Sequence, residues 1–236
     1  MVDHILFVGF AIGFPVLTGP VYLRRRTAML AGDPSVRTRE YVETIAWLSA
    51  MGLVTVGVWL ALGRNLSDIG LGLGGGWRFA TALAAVAGII ALLCVQVRAA
   101  RTDPEARALA REALEPVREF FPTSRVEARL FRGVSFAAGI GEEIYYRGFL
   151  IWYLAGAASV PWAVVLSSLL FGLAHWMHGT QATLRSTATG AVLAGIYLFS
   201  GSLWAPMLLH TAIDLTSGET GMAAFSGDND HSRPDA

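Results

Sequence analysis

The sequence predicts an all-α fold: a polytopic transmembrane helix bundle of about seven spans, with an amphipathic helix before the C-terminal half. Hydrophobic residues make up 54% of the chain and charged residues 15%, with a mean hydropathy of +0.51. A soluble domain usually carries about 25% charged residues. The apolar residues are also grouped in runs, and clusters of arginine separate these runs. Together these observations indicate a membrane protein.

The apolar runs fall into two groups on either side of one polar segment. Three runs lie in the first group, and each is long enough to span a bilayer: 5–22, 44–62 and 79–97. Four more follow, of which the last two are short for full spans: 130–154, 160–177, 187–199 and 203–215. Between the groups, residues 104–121 interleave apolar and charged side chains. That pattern predicts an amphipathic helix on the membrane or the bundle, or a solvated loop helix.

This order predicts four regions. They are N-terminal transmembrane segments at 1–102, a cytoplasmic amphipathic or loop segment at 103–129, a core at 130–216, and a disordered tail at 217–236 rich in Gly, Asp and Ser. Arginines crowd the loops at 24–39 and 98–132, whereas 63–78 holds two. By the positive-inside rule the N-terminus is outside and the C-terminus cytoplasmic. The predicted location is the cell (plasma) membrane.

Charge and cysteine content exclude several classes of function. The formal net charge is zero, so no excess of positive charge points to nucleic acid as a partner. The single cysteine, Cys94, lies within an apolar run. One cysteine allows neither a disulfide within the chain nor a thiolate metal cluster. The expected partners are membrane lipid and a membrane-bound substrate.

Titratable side chains interrupt three of the apolar runs, where a charge costs several kcal/mol, about 2.5–3.5 on insertion scales. They are Glu142, Glu143, Arg147, His175, His178, His210 and Asp214. On a helix, Glu143 and Arg147 share one face and can pair. Glu142 lies about 100° around the helix and must be received by another element. One carboxylate is thus held by arginine, and its neighbour is free for chemistry.

Three ordered motifs carry a family resemblance. Glu-Glu-x-x-x-Arg at 142–147, Phe-x-x-x-His at 171–175 and His-x-x-x-Asp at 210–214 resemble the motifs of the CAAX prenyl protease and bacteriocin-processing (CPBP, or ABI) family. That family includes the eukaryotic type II CAAX prenyl endopeptidase. The resemblance covers about residues 130–215. It implies an all-helical intramembrane endopeptidase whose site opens to the cytoplasmic leaflet and whose substrate is a membrane-associated or lipidated protein or peptide.

The resemblance also implies roles for the motif residues. Glu142 and His175 activate a water, while His210 and the last motif position stabilise the oxyanion. Glu143 and Arg147 hold the site together. The last position is commonly Asn in this family and is Asp214 here. An ionised carboxylate cannot donate a hydrogen bond to an oxyanion, so Asp214 either acts in its protonated form or orients His210.

Other functions remain open at this stage. Glu142, His175 and His210 could instead bind Zn²⁺ in a metalloprotease, although the motif His-Glu-x-x-His is absent. His178, beside Gly179, is expected at the membrane edge rather than in the site. A non-enzymatic immunity or membrane-scaffold protein would use the same residues structurally. A proton-coupled transporter is disfavoured because the sequence shows no internal repeat. No sequence feature identifies the substrate.

Overall fold

The structure, a computed structural model, describes residues 1–225, and all regular secondary structure in this part is helical. The α-helices, in order, are α1 (Val2–Leu30), α2 (Pro34–Ala61), α3 (Gly76–Thr102), α4 (Pro104–Leu114), α5 (Arg125–Glu142), α6 (Ile151–Ala155), α7 (Val160–Leu173), α8 (Thr180–Ser200) and α9 (Trp204–Phe225). Two π-helical stretches occur, Phe7–Gly13 within α1 and Glu143–Leu150 joining α5 to α6. Short 3₁₀ turns lie at Leu66–Ile69, Glu115–Phe120 and Trp176–His178.

Three helices, α1 to α3, are long and apolar enough to cross a membrane, and α7 is a shorter apolar helix. The last two predicted runs, expected to be short for full spans, are not among the helices long and apolar enough to cross a membrane. They lie in α8 and α9, which have 21 and 22 residues, or about 30 Å at 1.5 Å per residue. Thr and Ser at their ends lower the local hydropathy without ending the helix.

Helix α5 is central to the bundle, because it packs against α2 on one side and α9 on the other. Helix α7 packs against α8, and α3 against α9. The largest apolar cluster surrounds the π-helical stretch, where Tyr145, Tyr146, Phe149 and Leu150 are almost fully buried beside Phe171 of α7. The two neighbouring glutamates therefore lie beside an apolar cluster at the junction of α5 with the π-helical stretch.

The predicted amphipathic segment lies against the bundle. It consists of α4 followed by the turn Glu115–Phe120. Its apolar residues Leu114, Val117 and Phe120 pack against a buried cluster that includes Tyr41 of α2 and Phe131 of α5. Asp103 caps α4 by accepting a hydrogen bond from the Glu105 amide.

The predicted disordered tail is partly helical. Residues 217–225 continue α9, whereas 226–236 lie outside the described residues. Gly218 and Gly221 have no side chains, so the rings of Phe131 and Phe121 approach the backbone where a Cβ atom would overlap them. Glycines that indicated disorder in the sequence instead allow close aromatic packing.

Candidate active site

A cavity of about 560 Å³ opens among α1, α2, α5, α9, the segment 113–121 and the junction of α7 with α8. Most of its wall is apolar. Four of the predicted site residues line it: Glu142, His175, His210 and Asp214. The other two, Glu143 and Arg147, are not among the lining residues and are almost fully buried behind it. The six residues are thus brought together, but in two layers.

Glu143 and Arg147 form the predicted ion pair. Arg147 Nη1 donates to Glu143 Oε1 over 2.6 Å, and both side chains are at most 1% exposed. The Arg147 guanidinium also lies 4.2 Å above the centre of the Phe171 ring. A fixed, paired carboxylate in a low-dielectric interior provides a strong and immobile hydrogen-bond acceptor.

His210 of α9 uses that acceptor. Its Nδ1 lies 2.8 Å from Glu143 Oε1, and a carboxylate that is paired with arginine only accepts hydrogen bonds. Nδ1 therefore carries the proton of this bond, and Nε2 points to the cavity side. There Nε2 lies 3.6 Å from Glu142 Oε2 and 3.8 Å from Asp214 Oδ2. Glu143 thus sets the orientation of the ring.

Glu142 differs from Glu143 in its contact with the cavity and in its hydrogen bonding. It faces the cavity, and within residues 1–225 it makes no hydrogen bond. Its closest ionisable neighbour is His210, slightly beyond hydrogen-bond distance. A buried carboxylate is tolerated at this position because a cavity borders it. Glu142 is free to bind a water molecule.

His175 lies two residues beyond the end of α7 and is oriented by the motif phenylalanine. Its Nδ1 lies 2.8 Å from the Phe171 carbonyl oxygen, which can only accept. In the neutral ring, Nε2 is then the basic nitrogen. The Phe171 ring is edge-on to His175 and to His210, with centroid distances of 4.9 and 5.8 Å. One aromatic side chain therefore separates and positions the two imidazoles.

Asp214 lies in the cavity wall one turn along α9 from His210. The distance of 3.8 Å between its carboxylate and His210 Nε2 exceeds that of a hydrogen bond. Since Glu143 already holds the other ring nitrogen, the structure gives no support to Asp214 as the residue that orients His210.

Two residues of the cavity wall were not expected from the sequence. His178 was placed at the membrane edge, but it lines the cavity and packs edge-on to Tyr22 of α1, with a centroid distance of 4.6 Å. Tyr146 also lines it, and its carbonyl accepts a hydrogen bond from Ser167 of α7 over 2.7 Å. Irregular hydrogen bonding in the π-helical stretch frees such carbonyls, which no residue pattern signals.

The predicted zinc ligands do not fit a metal site. Within residues 1–225, no three His, Cys, Asp or Glu side chains are arranged so that they could hold a metal ion. In His210 the Glu143 carboxylate occupies Nδ1, so Nε2 is the ring nitrogen that remains available on the cavity side.

Comparison with protein families decides the affiliation of this part of the chain. Residues 126–216 match the family model described as type II CAAX prenyl endopeptidase Rce1-like. This stretch, the Rce1-like segment, is similar to that family. The resemblance read from the three motifs is confirmed, and all six predicted site residues lie inside the Rce1-like segment. No curated protein and no solved structure gave a significant match.

The Rce1-like family supports a CAAX-type intramembrane protease, which is a hydrolase with a peptide substrate. With the long apolar helices α1 to α3, it also identifies an integral membrane protein. Helices α1 to α4 precede the matched residues, yet α1 and α2 contribute to the wall of the cavity.

Proposed function

We propose that this protein is an intramembrane endopeptidase in which Glu142 and His175 activate a water molecule. Its substrate would be a membrane-associated or lipidated, CAAX-like protein or peptide, cleaved in the cavity between the Rce1-like segment and helices α1 and α2. The contrast between the two adjacent glutamates carries this proposal. Glu143 is fixed by Arg147 and His210, whereas Glu142 faces the cavity without a hydrogen-bond partner in residues 1–225.

The attack on the peptide bond uses the two residues that face the cavity. A water molecule is oriented by a hydrogen bond that it donates to His175 Nε2. It gives a proton to the Glu142 carboxylate as the water oxygen bonds to the scissile carbonyl carbon. General base catalysis of this kind contributes about 10²–10⁴-fold. The proton held by Glu142 then passes to the leaving amine as the C–N bond breaks. Glu142 returns to its ionised form.

The oxyanion of the tetrahedral intermediate requires a hydrogen-bond donor. His210 provides one from Nε2 when both of its ring nitrogens carry protons. The Glu143 carboxylate on Nδ1 stabilises that cation, and Arg147 keeps Glu143 in place. Loss of one oxyanion donor typically costs about 10²–10³-fold in kcat. Asp214 lies beside the same position and, as a neutral acid, adds a second donor.

The test compares new protein termini in membranes of cells that carry the wild-type protein, Glu142→Gln or Glu112→Gln at matched abundance. Glu112 is an exposed residue of α4 and serves as the matched control. We expect termini that appear with wild type and Glu112→Gln and fall by about 100-fold or more with Glu142→Gln. These termini would identify the substrate at the same time.

Two results would contradict this account. Identical termini in all three membranes would favour the non-enzymatic immunity or scaffold role, in which the cavity binds a partner without cleaving it. Cleavage by purified protein that a chelator abolishes and Zn²⁺ restores would favour the metalloprotease. We expect the chelator to leave the rate unchanged, because the donor geometry does not fit a metal.

A further inference from the structure

Helix α1 lies outside the Rce1-like segment, but a row of buried residues on one of its faces packs against the turn that follows His175. Pro15, Gly19 and Tyr22 are buried on this helix, and their spacing of four and three residues places them on one face. They contact the turn Trp176–His178, which joins α7 to α8.

Three separate contacts make up this junction. Trp176 Nε1 donates to the Pro15 carbonyl oxygen over 3.2 Å. The indole ring lies against Gly19 so closely that a Cβ atom there would overlap Cζ2, Cε2 and Nε1. One turn further, the Tyr22 ring meets His178 edge-on, and the Tyr22 hydroxyl donates to the buried Glu119. Both ends of the turn are therefore held by α1.

The position of His175 depends on this turn because the residue does not lie inside a regular helix. Helix α7 ends at Leu173, and the 3₁₀ turn begins immediately after His175. Gly179 then adopts a positive φ of 94° to start α8. Phe171 fixes the ring from the α7 side, so the following turn determines where the backbone of His175 lies.

We infer that α1 positions His175 through Trp176 and His178, with Gly19 as the residue that permits the approach. Gly19, Pro15 and Trp176 are not among the residues that line the cavity, so they act on the reaction through His175 and not by touching the substrate. This inference rests on the proposed function only where it is tested by kcat and KM, since those values require that the protein cleaves a substrate. It assigns a positioning role to a helix in which the sequence shows no motif.

The experiment uses the purified full-length protein and one added methyl group. Gly19→Ala is compared with Gly9→Ala, a matched control on the same helix where a Cβ atom would meet nothing within 4 Å. We expect Gly19→Ala to lower kcat by about 10-fold or more with KM little changed, since a displacement of about 1 Å in a catalytic group can cost 10²-fold. Gly9→Ala should behave as wild type.

A double substitution separates positioning from general damage. Trp176→Leu removes the ring that Gly19 faces, so Gly19→Ala should have no further effect on kcat in that background. Additive losses, or equal kcat for Gly19→Ala and Gly9→Ala, would overturn the inference.

A second readout does not require turnover. The rate at which diethyl pyrocarbonate modifies His175, measured by mass spectrometry, should change in Gly19→Ala and not in Gly9→Ala, while the rate at His4 stays constant. If Gly19→Ala changes the rate of modification at His175 but the wild-type protein cleaves no substrate, the positioning role is supported and the proposed protease activity is contradicted. An unchanged rate would contradict the positioning role whatever the activity.

Discussion

Two identical side chains, one residue apart, have opposite surroundings in this protein. Glu143 is fully buried and paired, whereas Glu142 lines a cavity. The sequence predicts the Glu143–Arg147 pair because a local helical spacing determines it. It does not predict that His210 bonds the same carboxylate from a helix 67 residues away, because that contact depends on how α5 and α9 pack. The distinct positions of the two glutamates follow from this tertiary contact.

The buried pair makes a testable prediction about stability. Arg147→Met leaves the buried Glu143 carboxylate without its arginine and with His210 as its remaining partner, and we expect it to lower the free energy of unfolding by about 3–5 kcal/mol. Glu143→Leu combined with Arg147→Met removes both charges and should cost less than either single substitution. Denaturant unfolding of the purified protein in detergent measures this. A double substitution as damaging as the sum of the singles would show that the pair is not a coupled unit.

At the scale of elements, glycine determines how closely α5 approaches its neighbours. A Cβ atom at Gly139 would overlap the backbone of Thr211 in α9, and one at Gly141 would overlap the Leu48 carbonyl of α2. These contacts bring α9 and α2 against the helix end that bears Glu142. At Gly133 the nearest atom is instead the tip of the Ile45 side chain, which can rotate away.

This contrast predicts different outcomes for two glycines of one helix. Gly141→Ala should destabilise the protein by about 1–3 kcal/mol, because neither backbone can yield without separating the helices. Gly133→Ala should stay within about 1 kcal/mol of wild type, since alanine favours the helix and Ile45 can repack. Thermal unfolding in detergent compares the two, and equal losses would contradict the role of close backbone contact.

Close packing at glycine also explains which parts of the helices could not be predicted from the sequence. Hydropathy and arginine spacing predicted the all-α fold and the three long apolar helices α1 to α3, because these properties act within one segment. They misjudged the end of α9, where Gly218 and Gly221 are read as flexible although Phe131 and Phe121 pack against them. The place of His178 in the cavity wall was missed for a similar reason, since Tyr22 of α1 and Phe120, both distant in sequence, enclose it.

At the scale of the whole molecule, Arg37 connects regions that are distant in sequence. Its side chain is 4% exposed and pairs with Glu127 of α5. It also donates to the Met29 and Glu119 carbonyl oxygens and to the Thr123 hydroxyl. From the sequence, Arg37 was counted among the arginines of the predicted loop 24–39. A count of charges does not show which arginine of a loop is buried. Arg37 joins the end of α1 and the start of α2 to the segment before α5.

We expect the contacts of Arg37 to contribute far more to the free energy of unfolding than those of the exposed Arg39. Arg37→Met should lower the free energy of unfolding by about 3–5 kcal/mol, because it leaves the buried Glu127 unpaired. Arg39→Met, which breaks an ion pair whose arginine side chain is 70% exposed, should cost about 0–1 kcal/mol. Chemical unfolding monitored by tryptophan fluorescence tests both, and similar losses would refute a special role for Arg37.

The division of the cavity between two parts of the chain has an evolutionary consequence. The side chains proposed to be reactive come from the Rce1-like segment, while much of the apolar wall comes from α1 and α2, which precede it. Mutations in that wall can alter which molecules enter without changing the residues proposed to cut them. Diversification of substrates would then proceed mainly through the N-terminal helices. Only the face of α1 that bears Pro15, Gly19 and Tyr22 would be restrained, since exchanging it would also disturb the histidine.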